Sequence, residues 1–466
     1  MKSSKSKSVT FANIVLGGMV AVFTLAISYL FYKSNATQIP LNIKLVVLLI
    51  AGLLFFIFTL FMRSSWKINA AVFIFSVLLA AYGVELVLFI QHKIHFSRPN
   101  IDTRNKLEVL EDLRAQGIDA WPQVLAWLFV KSNGIPSDNN RIFPLGGISD
   151  KTIVYCNESG QYKIFESDEH GFNNPKGQYR KGNIQAALVG DSFTIGSCVK
   201  SGEDIAGRLR NKGISALNLG NGGNGPLIEL ALLKEYVEVV EPEIVLWIYY
   251  EGNDLSDLAG ERTSSMLMRY LEDDYSQDLI ERQDEIDAAL MKYVNARWIK
   301  EAKLPQMRNV IENAPLSEQK RQEKEDRLKP LKLWYLRDRI GLINKPREPG
   351  REVTFKTQLP LFSEVLAAAY KRSSRWGGKF YFVYLPELER YVGNNDNGAF
   401  FDRDDVIDIV NKLGIPLIDF HEVLVKHPDP LSLTPFLGAH YNAEGYKLLT
   451  EFIVSRLKKD AIIIRE

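Results

Sequence analysis

The first ninety residues constrain this chain more than any other feature, because they are mostly apolar and the remainder is not. Three stretches in them are long enough to span a bilayer as helices, which takes roughly 20 apolar residues each. They run over about 11–32, 41–62 and 68–90, and residues 1–92 read as a three-helix transmembrane anchor. The first stretch is long for a signal peptide, lacks a small-residue cleavage site, and is followed at once by further apolar sequence. Lys2, Lys5 and Lys7 precede it, and Arg63 and Lys67 separate the second stretch from the third, against Lys33 and Lys44 on the opposite side. The positive-inside rule then keeps the N-terminus in the cytoplasm. An odd number of crossings carries everything after Ile90 outside, which in a bacterium is the periplasmic face of the inner membrane. Glu85 is an ionisable group in the third stretch, and its closeness to His92-Lys93 reads as an interfacial position.

Composition excludes one class of partner. A net charge of +1 leaves no basic excess to neutralise phosphates, so no nucleic-acid partner is expected. Cys156 and Cys198 are the only cysteines. Outside the cytoplasm they either pair or stay as two buried thiols, and spacing alone does not choose. A bond between them would brace the segment after Ser192. Neither has metal-ligand spacing with a histidine, and no cofactor or metal is expected.

Residues 93–183 form a mixed extension. Lys106–Gln116 and Trp121–Lys131 read as helical, Tyr162–Phe165 alternates like a short strand, and Asp168–Pro175 is polar and turn-forming. From Ile184 an α/β rhythm begins. Ile184–Val189, Ser215–Leu219, Ile244–Tyr250, Lys379–Leu385 and Pro416–Phe420 are short apolar runs, with helices at Asp204–Lys212 and Leu227–Val240 between them. That alternation predicts a parallel sheet with helices on both faces. A helical, charge-rich insertion over about 257–352 follows the third run, placed to act as a lid or substrate platform above the sheet. Its most polar part, Ser317–Lys329, reads as a solvated face.

Four blocks stand where strands of such a sheet end, which is where these folds place their chemistry. Gly190-Asp191-Ser192-Phe193 presents a hydroxyl at a strand-to-helix turn; alone, Ser192 also reads as a helix N-cap. Asn218–Pro226 holds four glycines, Gly223 among them, and lets a backbone N–H approach a ligand closely. Asn253, in Glu251-Gly252-Asn253-Asp254, offers a side-chain amide or an ordinary Asx-turn. His440, in Gly438-Ala439-His440, is a loop histidine suited to general-base work, with His421 and His427 as its nearest rivals.

In order and spacing these blocks resemble the GDSL/SGNH hydrolase family. The resemblance covers Ile184 to the C-terminus apart from the insertion. It implies a flavodoxin-like three-layer fold over 184–466, a Ser192 nucleophile with His440 as base, and an oxyanion hole from the Ser192 and Gly223 N–H groups and the Asn253 amide. It also implies an esterase or O-acyltransferase. One position departs from the pattern: the family carries an aspartate three residues before the histidine, and Leu437 stands there. Asp429, on the same loop as His440, is the first candidate to replace it, ahead of Asp419 or a backbone carbonyl. An anchored member resembles those that add or remove O-acyl groups on envelope polysaccharides, with docking to a polysaccharide-synthesis complex as a role for the anchor. The other readings are a lipid esterase or lysophospholipase, and a non-catalytic glycan-binding or assembly protein. His170 is weighed as an upstream contribution to the site, against a structural turn.

Overall fold

The computed structural model describes residues 2–37, 43–96, 102, 104–137, 140–302, 328–339, 351–391, 402–435 and 440–460. They divide into two compact units, Met1–His95 with Lys324–Ile340, and Phe96–Glu323 with Gly341–Glu466.

The first unit contains α1 (Lys2–Thr37), α2 (Ile43–Thr59) and α3 (Ser64–Phe96). Two spans within it, Lys7–Tyr32 and Ser64–Ile90, are long and apolar enough to cross a membrane. The middle helix is apolar but only 17 residues long, short of the roughly 20 that a straight crossing takes. Among the described residues two full-length spans are thus present, with a shorter apolar helix between them. Glu85 is also more than an interfacial residue. Its carboxylate accepts the N–H groups of Tyr335 (3.0 Å) and Leu336 (2.7 Å) at the start of the helix Trp334–Arg339. A buried acid is well placed against the positive end of a helix. A piece of the insertion is thereby tied to α3.

In the second unit, short strands β1 (Ala120–Pro122), β2 (Thr152–Val154) and β3 (Ile164–Glu166) make a small sheet in the order β1-β2-β3. Trp121–Lys131 is therefore not one helix. Pro122 holds Trp121 extended, and only Ala126–Phe129 winds into a helical turn. The main sheet consists of β4 (Ala186–Gly190), β5 (Ala216–Asn218), β6 (Ile244–Tyr250), β7 (Lys379–Leu385) and β8 (Leu417–Asp419), ordered β8-β7-β6-β4-β5 and wholly parallel.

The strand sequences read as continuous apolar runs because both faces of the sheet are covered. Ala187, Val189, Val245, Trp247, Tyr249, Phe380, Phe382 and Tyr384 pack into one core, against helices that include α6 (Pro226–Leu232) and α9 (Arg351–Ser373). Their sequence neighbours Ala186, Leu188, Leu246, Ile248, Tyr381 and Val383 pack into the other, against α5 (Ile205–Asn211) and α11 (Ala443–Lys459). The remaining elements used below are α4 (Ser192–Ile195), α7 (Asp254–Glu261), α8 (Gln283–Ala302) and α10 (Arg403–Lys412). After β4 the chain turns to β5 on one side and then crosses to β6 on the other. The C-terminal end of β4 is thus the switch point where open α/β sheets leave a crevice.

Candidate active site

Ser192 opens α4 directly beyond β4. Asp191 caps that helix by accepting the Phe193 N–H (2.8 Å), and Gly196 closes it in a left-handed conformation with φ 73°. Gly190 is required for close packing, since a Cβ there would run into Thr194 Oγ1 and stand 2.9 Å from the Ile248 carbonyl. Asn224 ties the glycine loop to β4 by donating to the Gly190 carbonyl (3.2 Å), and Asn218 ties it to α4 by donating to the Thr194 carbonyl (2.8 Å). The asparagines around the glycines therefore fix two strand ends against each other.

His440 Nε2 lies 2.8 Å from Ser192 Oγ. Its Nδ1 lies 2.7 and 2.8 Å from the two carboxylate oxygens of Glu158. A carboxylate can only accept, so Nδ1 carries the hydrogen and Nε2 is left as acceptor for the serine O–H. Phe193 packs beside the imidazole with ring centroids 5.0 Å apart. The geometry is that of a nucleophile, a base and an orienting acid.

The acid corrects the expectation of Asp429. That residue donates its N–H to His427 Nδ1 (3.2 Å), its carbonyl accepts from Ser432, and no contact joins it to His440. Asp419 is engaged with Arg403 of α10 and with the His421 N–H (3.0 Å). His421 itself meets Tyr391 Oη at 2.6 Å. Leu437, Gly438 and Ala439 lie outside the described residues. His170 stays in its turn, with Nδ1 3.3 Å from Gln283 Oε1 of α8 and its ring against Tyr179.

Glu158 comes from the loop between β2 and β3, and three tethers hold that loop to the segment following Ser192. Cys156 and Cys198 form a disulfide, with Cα atoms 5.3 Å apart. Buried Lys163 donates to the carbonyls of Ile195 and Gly196, both at 2.7 Å, at the end of α4. Burial pushes its amine down to about 8, against the opposing attraction of the Asp204 and Glu203 carboxylates. Ser197 Oγ donates to Tyr155 Oη (3.1 Å). The sequence carried one signal for Glu158: it lies two residues from a cysteine whose partner is six residues beyond Ser192.

Gly223 has φ 71°, a conformation glycine adopts without strain. Among the described residues no hydrogen bond engages the N–H of Gly223 or of Ser192. Asn253 stands immediately before α7, and its amide donates one hydrogen to Asp257 Oδ2 (2.7 Å). Glu251 serves elsewhere: it pairs with Arg390 and accepts the Glu387 N–H (2.9 Å), joining the ends of β6 and β7.

Beneath these donors lie the buried acids Asp191, Glu229, Asp254 and Glu261, with half-buried Asp257 beside them. Burial is the largest effect on each, and mutual repulsion adds to it for most of them. Asp257 is pushed up to about 8 and Glu261 to about 7, and Glu229 and Asp254 lie well above the ordinary carboxylate range. Neither oxygen of Glu229 has a hydrogen-bond partner among the described residues, and burial together with the neighbouring Asp191, Glu261 and Asp257 favours its uncharged form. No group of three or more histidine, cysteine or acidic side chains among the described residues is arranged to hold a metal ion.

No family model and no curated protein matches the chain. Solved structures do. A lipase/acylhydrolase from Enterococcus faecalis matches 59% of this chain and 96% of its own length, at 13% identity and a TM-score of 0.30. A two-domain esterase active on acetylated mannans matches 59% of this chain and 49% of its own, at 13% identity and a TM-score of 0.28.

Proposed function

We propose that this chain is a serine esterase or O-acyltransferase of the SGNH type, acting on acyl esters of cell-envelope carbohydrate. The observation that carries the reading is the continuous chain Ser192 Oγ–His440 Nε2 (2.8 Å) and His440 Nδ1–Glu158 (2.7 Å). In this reading His440 takes the proton as Ser192 attacks the acyl carbonyl, and Glu158 stabilises the imidazolium that results. The oxyanion is met by the unengaged N–H groups of Ser192 and Gly223 and by the Asn253 amide. Removing one such donor typically costs 10²–10³ in kcat. His440 then protonates the leaving sugar hydroxyl. The acyl-serine is resolved by water in an esterase, or by a second sugar hydroxyl in a transferase.

The anchor would hold this site at the outer face of the membrane. Crossing by all three apolar helices, Ile43–Thr59 included, with the basic N-terminal residues kept inside, would give that placement, and a disulfide suited to an oxidising compartment supports it. Protease added to intact spheroplasts should digest residues after Ile90; protection of that part would move the site to the cytoplasm.

The direct test of chemistry is labelling of the detergent-solubilised chain by an activated-phosphonate serine probe. Labelling should disappear in Ser192→Ala and His440→Ala. A well-folded wild type that takes no label would sink the enzyme reading and favour a glycan-binding protein.

A further inference from the structure

The segment that leads from β1 into the turn Ala126–Phe129 is fastened to the glycine loop. Gln123 Nε2 donates to Asn221 Oδ1 (2.9 Å), and Asn221 Nδ2 donates to the Val124 carbonyl (3.1 Å). Within the turn, Ala126 and Phe129 are buried, which anchors it to the core. Trp127 faces the other way. Its pyrrole edge lies over Gly223, so that a Cβ on Gly223 would stand 3.0 Å from the indole Nε1 and 3.1 Å from Cγ. Yet the side chain is 48% exposed. Among the described residues of the second unit it is the only large aromatic side chain so exposed; the others are aliphatic: Ile164, Val239, Val425 and Leu431. Its Nε1–H has no hydrogen-bond partner among the described residues.

A lone exposed apolar side chain needs no explanation in itself. Trp127 differs in three respects that point the same way. It sits against the glycine whose N–H is proposed to meet the oxyanion, it offers an open ring face, and it holds a free donor at one edge. Indole combines an apolar face with a polar handle and suits partners of the same mixed character.

We propose that Trp127 is the sugar platform of the site: its ring stacks on the C–H face of the pyranose that bears the acyl group, and Nε1–H donates to an oxygen on that ring. An acyl chain would use the face but offer the Nε1–H no acceptor, whereas a sugar uses both. The assignment rests on the esterase reading and narrows it to carbohydrate over lipid. It also gives Gly223 a second reason to lack a side chain, since any Cβ would displace the indole.

The experiment compares acetate release by the full detergent-solubilised chain from two kinds of substrate. One is ethyl acetate, which has no ring to stack. The other is a panel of acetylated tetrasaccharides of glucose, mannose, galactose and N-acetylglucosamine. In Trp127→Ala the ratio of kcat/KM for the best tetrasaccharide to that for ethyl acetate should fall at least about tenfold, chiefly through KM, a loss of about 1.4 kcal/mol in binding. Trp127→Phe, which keeps the face but not the donor, should recover part of it. An unchanged ratio overturns the proposal, as does an equal loss on both substrates, which would make Trp127 a structural wall of the glycine loop. Turnover of ethyl acetate with no tetrasaccharide cleaved also overturns it, while leaving the esterase reading intact. If neither kind is cleaved, the esterase reading fails, and calorimetry decides on Ser192→Ala against Ser192→Ala/Trp127→Ala. A tenfold loss of tetrasaccharide affinity then sustains the platform, and no binding or no loss overturns it.

Discussion

The ends of the main strands and the loop between β2 and β3 contribute to one site in opposite ways. Ser192, Gly223 and Asn253 each follow a strand of the same parallel sheet, so backbone pairing alone brings them to one edge. Glu158 follows a strand of a different, small sheet and reaches His440 across 282 residues of sequence. Its position depends on a disulfide, a buried lysine and a tyrosine hydroxyl, all directed at the few residues after Ser192. One region holds its side chains by the regular geometry of a sheet, the other by specific bonds. The second is the one that individual substitutions can detach.

The largest effect should come from separating the two carboxylates that compete for the role of orienting acid. Glu158→Gln removes the acceptor for Nδ1–H and should lower kcat about 10³–10⁴-fold, with the hydrolysis of any turned-over ester as readout. Asp429→Asn should leave the rate within about twofold; the reverse ranking would return the role to the C-terminal loop.

A smaller loss should follow from cutting the covalent tether. The disulfide closes a loop of sequence separation 42, for which chain entropy predicts about 3–4 kcal/mol of stability. Cys156→Ser/Cys198→Ser should lose that much by urea titration and should lower kcat about tenfold, because Lys163 and Tyr155 still hold the loop. A full rate at reduced stability would show that the noncovalent contacts position Glu158 unaided.

The smallest effect concerns the acids under the strand ends. Asp257 and Glu261 keep protons in the folded chain up to about 8 and about 7, well above the range in which an unfolded chain has released them. The folded state therefore binds more protons than the unfolded state between roughly pH 4 and 8, and stability must fall as pH rises through that window. The unfolding midpoint should drop between pH 6 and 9 by the equivalent of about 1–3 kcal/mol, and Asp257→Asn should flatten the upper part of the fall. An unchanged slope in that variant would mean that the proton resides elsewhere among the acids.

Much of the sheet was legible in the sequence. The five apolar runs coincide with the observed strands to within two residues at either end, because strands buried on both faces admit almost only apolar side chains. That Ser192, Gly223 and Asn253 follow strands was legible too, since a strand end and a glycine loop are local features; the helix cap is Asp191, where Ser192 was the sequence candidate. The anchor was legible in character but not in length: α2 stops at Thr59, and the expected span ran on to Met62. Trp121–Lys131 misled because its apolar spacing suits a helix, while pairing of Ala120–Pro122 with Thr152–Val154 and the ring of Pro122 favour an extended chain.

Sequence by itself thus determined which segments become sheet, which are apolar enough for a membrane, and which residue types gather at the strand ends, because each is set by burial pattern and by neighbours close in the chain. Only the tertiary structure decided which acid meets His440, what Glu85 caps, and that Trp127 stands over Gly223. Those pairings join residues far apart in sequence, and any of several acids or aromatics would satisfy the local rules equally well. The choice among them is made by which surfaces come together when the chain packs.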